Sequence, residues 1–150
     1  ALHTARAPST FYSRPGDVKR LFANATELER AYFAKTHIFP IMHVVALRRE
    51  VYEANRWIAQ SLYKAFVESQ RKIYEGLNIT AALKTMLPFQ IDQVEQVRRE
   101  MGDDWWPYGL ERNHAVLDTF LRYHHEQGLS KRRLTPEELF APECLEAFKI

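Results

Sequence analysis

Residues 38–48 read Ile-Phe-Pro-Ile-Met-His-Val-Val-Ala-Leu-Arg, and the way this stretch is satisfied decides the fold. Seven large apolar side chains crowd into eleven positions, with Val44 and Val45 at the centre. Pro40 stands near the start, and Arg48-Arg49-Glu50 closes the run with charge. An apolar run of this length, β-branched in the middle, suits a strand buried on both faces. A strand must exchange backbone hydrogen bonds with a neighbour. Elsewhere the sequence offers only residues 1–6 as a second strand. We therefore expect the partners of residues 38–48 to lie in polypeptide outside this sequence.

Outward from this run the pattern is helical. On the N-terminal side, Ala7-Pro8-Ser9-Thr10 and Ser13-Arg14-Pro15-Gly16 mark a loop, and residues 17–23 suit one helical turn or two. Asn24 then caps a helix running to about Lys35, with Glu27 placed for a capping box. On the other side, Ile58, Leu62, Ala65, Phe66, Ser69, Ile73 and Leu77 recur at three- and four-residue spacing and predict one apolar helix face. A short helix is expected over 80–87 before Pro88, another over 92–101 ending at Gly102, and a third from about Glu111 to Gly128. Thr135-Pro136-Glu137-Glu138 is a helix start with its own capping box. It opens a short helix ending near Phe140, and one more turn is expected in 141–150. Asn24 and Asn78 lie in glycosylation sequons but read as helix caps. The fold class is α/β, predominantly helical, with few strands of its own.

Composition narrows the function classes. Of the 150 residues, 46% are hydrophobic and 13% aromatic, enough for one packed core. The formal charge of +2 comes from interspersed signs, with no basic stripe of the kind nucleic acid requires. Lys131-Arg132-Arg133 reads as a solvated loop. No apolar run approaches the length of a membrane span. The single cysteine, Cys144, allows no internal disulfide and reads as a packed small side chain. His124 and His125 are adjacent and diverge on a helix; His124 reads as a half-buried side chain on the apolar face. No metal site and no cofactor are expected from this chain alone.

Three places set polar or aromatic groups where they are costly to explain otherwise. Arg6 ends the candidate first strand, and guanidinium is suited to gripping a carboxylate through two parallel hydrogen bonds, with Ser9 and Thr10 adding hydroxyls. The competing reading is a surface arginine. His43 sits inside the most apolar run, where a buried imidazole needs partners; the competing reading is a satisfied core histidine. Asp103-Asp104-Trp105-Trp106-Pro107-Tyr108-Gly109 carries rings that must pack on something, as a core lid or as a ligand wall.

The strings IFPIMHVVALRREVYEANRWIAQSLYKAF (38–66), MGDDWWPYGLERN (101–113) and FLRYHHEQGLSKRRLTPEELFAPE (120–143) resemble the C-terminal part of the 4,5-dihydroxyphthalate decarboxylases. Ala5-Arg6-Ala7-Pro8-Ser9 resembles the segment before that region. The family in turn looks like the two-lobed periplasmic-binding-protein fold, with ligand held between two α/β lobes. The resemblance implies that residues 1–150 are the later half of such a protein, the N-terminal half lying outside this sequence. It also implies loss of one carboxylate from a dihydroxylated aromatic diacid, giving protocatechuate. No catalytic residue is carried over from the family. From chemistry and position, His43 is the candidate acid. Arg6, Ser9 and Thr10 are candidates for holding the retained carboxylate, and Trp106 and Tyr108 for stacking on the ring. The expected partner is a small aromatic carboxylate, with no nucleic acid and no membrane. The expected location is cytoplasmic, and self-association through open strand edges is a further expectation. The alternative is a solute-binding module for an aromatic or heterocyclic acid, periplasmic in that case, which would not react its ligand. A third reading is a helical interaction domain using the tryptophan segment as its contact patch.

Overall fold

The computed structural model describes residues 2 and 4–145, in two units, Ala1–His37 and Ile38–Ile150. In the first unit Pro8 opens helix α1 (Ser9–Ser13). Gly16, at φ +114, turns the chain so that Pro15 and Val18 form an isolated parallel bridge. This turn takes the place of the helix expected over 17–23. Helix α2 (Ala25–Thr36) starts where Asn24 predicts it. The expected capping box is not made: the Asn24 side-chain amide donates to Glu27 Oε2 (3.3 Å). The Asn24 carbonyl accepts from the Glu27 and Leu28 N–H groups (3.1 and 3.2 Å). His37 ends the helix in the left-handed region, φ +54, donating its N–H to the Phe33 carbonyl. No strand forms at residues 2 and 4–6; positions 1 and 3 of that expectation lie outside the described residues.

The second unit opens on the run that decides the fold. Residues 38–48 are neither helical nor paired in a ladder, and they run without a sharp bend. The apolar core strand expected here is not formed, and most of its side chains face solvent, Met42 and Val44 at 64% and 63% exposure, while Ile38 and Leu47 are half-buried. Nothing else in the described chain is a strand, so no edge exists for this segment to join. Among the described residues the architecture is mostly helical, with one isolated bridge and no sheet.

Helix α3 (Arg49–Ala54) and helix α4 (Trp57–Leu77) divide at Asn55. Its side-chain amide donates to the Val51 carbonyl (3.4 Å), a local bond that competes with the helical one. The α4 face differs from the expected one. Ala65, Phe66, Ser69 and Ile73 are exposed, Ile73 at 62%, while Ile58, Leu62 and Leu77 of the expected face are half-buried, as are Tyr63, Val67, Gln70 and Tyr74 beside the buried Ala59. Hydrophobic periodicity locates the greasiest stripe, and the middle of that stripe, from Ala65 to Ile73, is left largely uncovered here.

Residues 80–87 form a loop and not the expected helix. An eight-residue segment gains too little from propensity to nucleate without a packed face, and residues 81–89 are all exposed. Helix α5 (Gln90–Met101) ends at Gly102, φ +88. Helix α6 (Leu110–Glu126) ends in a Schellman motif, Gly128 N–H donating to the His125 carbonyl (2.9 Å) and Leu129 N–H to the His124 carbonyl (3.0 Å). Helix α7 (Pro136–Leu139) has the expected box, the Thr135 N–H donating to Glu138 Oε2 (2.8 Å). A 3-10 turn (Pro142–Cys144) follows, and residues 146–150 of the expected last turn lie outside the described residues.

Helix α6 presents Leu110, Leu117 and Leu121 on one buried face, and it packs on α7, whose Pro136 is fully buried. The 3-10 turn packs on α4 and is stapled to α3: Tyr52 Oη donates to Glu143 Oε2 (2.7 Å), and Arg56 Nη1 lies 3.4 Å from Glu143 Oε1. Within the second unit, large apolar side chains nonetheless stay exposed, among them Met42, Val44, Val45, Phe66 and Ile73. Much apolar surface is uncovered.

Two measurements check this packing. Leu121, 4% exposed, sits in the α6 core, and Leu121→Ala lowers unfolding stability by about 2–4 kcal/mol in urea titration. The Tyr52 hydrogen bond holds the Glu143 carboxyl below the usual carboxylate range, with the Arg56 charge acting the same way. A lowered folded-state pKa contributes stability above the ordinary range and loses it as pH falls through the lowered value. Glu143→Gln should therefore melt below the wild type at pH 7, and the gap in thermal melting should narrow as pH falls below the ordinary carboxylate range.

Candidate functional site

The tryptophan segment is where side chains converge. Between Gly102 and Gly109 the chain has no regular structure, so its backbone groups need partners from elsewhere. Helix α4 supplies two. The Trp106 N–H donates to Tyr74 Oη (3.0 Å), and Gln70 Nε2 donates to the Trp106 carbonyl. Helix α6 holds two carbonyls and one side chain: Asn113 Nδ2 donates to the carbonyls of Pro107 and Gly109 (both 2.8 Å), and Arg112 Nη1 pairs with Asp104 Oδ2 (2.7 Å). Tyr74 Oη donates in turn to Asp104 Oδ1 (3.2 Å).

Gly109 makes the segment's return to α6 feasible. Its φ of +94 and ψ of 155 fall in a region essentially reserved for glycine. A Cβ there would also strike the Tyr63 hydroxyl.

The two tryptophans are placed differently. Trp105 lies against Tyr74 (ring centroids 4.5 Å apart, 39° between planes) with the Arg98 guanidinium 5.7 Å from its ring. It is packed. Trp106 is 46% exposed and touches Phe39 (5.4 Å). Beside them is an open trough of about 260 Å³, lined by Ser69, Gln70, Ile73, Tyr74 and Leu77 of α4 facing Trp105, Trp106 and Tyr108. Its polar groups are largely committed to one another. Burial pushes the Tyr74 phenol up to about 12, so it stays protonated at neutral pH. What the trough offers is flat aromatic contact, not proton transfer.

The residues singled out in the sequence fall into separate places. Trp106 and Tyr108 are brought together in the trough wall. His43 is exposed in the irregular segment and, among the described residues, makes no hydrogen bond, ion pair or ring contact. It is therefore not the buried histidine expected of a core strand, because that strand is not formed. Arg6, Ser9 and Thr10 belong to the first unit, exposed at and before the start of α1. Arg6 donates its backbone N–H to Thr4 Oγ1 (3.2 Å).

Other readings can be placed as well. His124 is half-buried against Phe120 (5.7 Å), as expected. Burial raises the Cys144 thiol, with Glu143 adding to the rise, which leaves it a packed side chain and a poor nucleophile. The basic cluster is exposed but more committed than a free loop: Arg132 pairs with Glu138 (2.8 Å) and Arg133 with Asp118 (2.7 Å). Among the described residues no three His, Cys, Asp or Glu side chains converge, and no helix is long and apolar enough to cross a membrane. Sequence reasoning missed Gln70 and Tyr74. The available signal was their four-residue spacing, which puts an amide and a phenol on one side of α4.

No protein-family model matches the chain. A 4,5-dihydroxyphthalate decarboxylase of Comamonas testosteroni is 42% identical over 145 residues, which is 97% of this chain and 44% of that protein. The chain thus spans less than half the length of the relative it matches. Over nearly its whole length, this sequence resembles a portion of a 4,5-dihydroxyphthalate decarboxylase.

Proposed function

We propose that this chain is the later part of a cytoplasmic, two-lobed aromatic-acid decarboxylase acting on 4,5-dihydroxyphthalate or a close analogue. The observation that carries this reading is the 42% identity, sustained over 97% of the chain, to a protein of that name. The uncovered surface supports the architectural part. An apolar run at 38–48 with no sheet to join, and an α4 stripe facing solvent, are what a lobe shows when its strand partners are absent.

The chemistry asks for three things. One carboxylate must be held, the hydroxyl para to the departing carboxylate must push electrons into the ring, and an acid must protonate the ring carbon. The carbon–carbon bond to the carboxylate then breaks, its electron pair restores the aromatic ring, and carbon dioxide leaves with protocatechuate as product. In this proposal His43 is the proton donor, an imidazolium N–H delivering the proton to the ring carbon. Arg6, with Ser9 and Thr10, holds the retained carboxylate, and Trp106 and Tyr108 stack on the ring. The comparison gives the solute-binding alternative no support.

The test is incubation of the intact protein with 4,5-dihydroxyphthalate and chromatographic detection of protocatechuate. Turnover is expected, and its absence in folded protein overturns the proposal. His43→Ala should cut kcat by about 100-fold or more, and an unchanged kcat removes His43 from the acid role. Arg6→Ala should raise KM by about tenfold or more; an unchanged KM removes the clamp.

A further inference from the structure

We infer that Tyr74 and Gln70 are positioning residues: a two-point clip from α4 that grips the main chain of Trp106 and sets its indole as a wall of the substrate site. The inference deepens the decarboxylase reading and rests on it for the identity of the substrate.

Both main-chain polar groups of Trp106 are taken by one helix. The N–H goes to Tyr74 Oη at 3.0 Å and the carbonyl to Gln70 Nε2. A residue in an irregular loop, held at both ends of its peptide units by side chains four apart on a helix face, has little freedom left in φ and ψ. The indole direction is thereby set from the backbone, leaving the ring itself uncommitted on its exposed side.

The clip is itself held. Tyr74 Oη donates to Asp104 (3.2 Å), whose other oxygen meets Arg112 (2.7 Å). Trp106 N–H donates to Tyr74 and Tyr74 donates to Asp104, while Arg112 donates to Asp104 from the other side, so a short donor series ends on a charge-assisted acceptor, an arrangement in which each bond polarises the next. Burial keeps the phenol protonated, so the donation to Asp104 persists at neutral pH. The Tyr74 ring also carries Trp105 at 4.5 Å. One residue thus packs the inner tryptophan with its face and orients the outer one with its hydroxyl. That division makes phenylalanine an informative replacement, since it retains the packing and removes the clip.

The experiment uses the intact protein with Tyr74→Phe, Gln70→Ala, Trp106→Ala and the Tyr74→Phe/Trp106→Ala double variant. Wild-type turnover of 4,5-dihydroxyphthalate is measured first, and its failure counts against the decarboxylase reading alone. With turnover present, Tyr74→Phe and Gln70→Ala should each raise KM about 3- to 10-fold with kcat within about twofold. In the Trp106→Ala background Tyr74→Phe should add nothing further, because the clip acts only through that indole. A purely structural tyrosine would lower kcat and KM performance together and would do so in either background. Independently of turnover, acrylamide quenching of tryptophan emission should increase in Tyr74→Phe, and this increase should vanish when Trp106 is alanine. Unchanged KM, multiplicative effects in the double variant, or a quenching change that survives Trp106→Ala would each overturn the clip.

Discussion

The link that the second unit depends on is the ion pair and hydrogen-bond chain centred on Asp104. It ties Tyr74 of α4 to Arg112 of α6 through an acidic residue in an otherwise structureless segment. The two longest helices are joined here through a loop between them, with Asn113 holding the loop's far end. A carboxylate is well chosen for this place. It accepts from a phenol and a guanidinium at once, and neither donor can be replaced by water without loosening a helix.

Against that polar join stands an apolar imbalance. The side of α4 that packs is built from Ala59, Tyr63, Val67, Gln70 and Tyr74, while Phe66 and Ile73 face solvent. The valines at 44 and 45 are equally uncovered. Hydrophobic burial contributes roughly 25 cal/mol per Å², so leaving whole side chains of this kind in water forgoes several kcal/mol. A helix that leaves Phe66 and Ile73 of its most apolar stripe uncovered while Gln70 and Tyr74 are engaged has the pattern of a surface that meets a further layer.

Much of the helical order was legible. The start at Asn24, the break at Gly102, the stop at Gly128 and the box at Thr135 all come from local chemistry, and local chemistry is what a sequence states directly. Failures occurred where the outcome depends on neighbours. Residues 38–48 have strand composition, but a strand exists only as part of a ladder. The segment 80–87 has helical composition and no face to bury. Of the apolar stripe expected on α4, Ile58, Leu62 and Leu77 are half-buried, whereas Ala65, Phe66, Ser69 and Ile73 stay exposed. For the candidate site, the sequence marks Trp106 and Tyr108 as rings that must pack on something, as core lid or as ligand wall, and they line one trough; the clip of Gln70 and Tyr74 is not legible, since a glutamine and a tyrosine on a long helix look like any half-polar face until the loop they grip is in view. Roles for His43 and Arg6 rest on chemical suitability, because both lie exposed where their expected strands are not formed.

Gly109 has an evolutionary consequence. Its backbone occupies a torsional region closed to side-chain-bearing residues, and its missing Cβ leaves room for the Tyr63 hydroxyl. These are independent vetoes on replacement. Shortening Tyr63 would lift the steric one and leave the torsional one standing, so drift at position 63 cannot open position 109. Any lineage keeping this connection into α6 inherits the glycine as a fixed cost of the route.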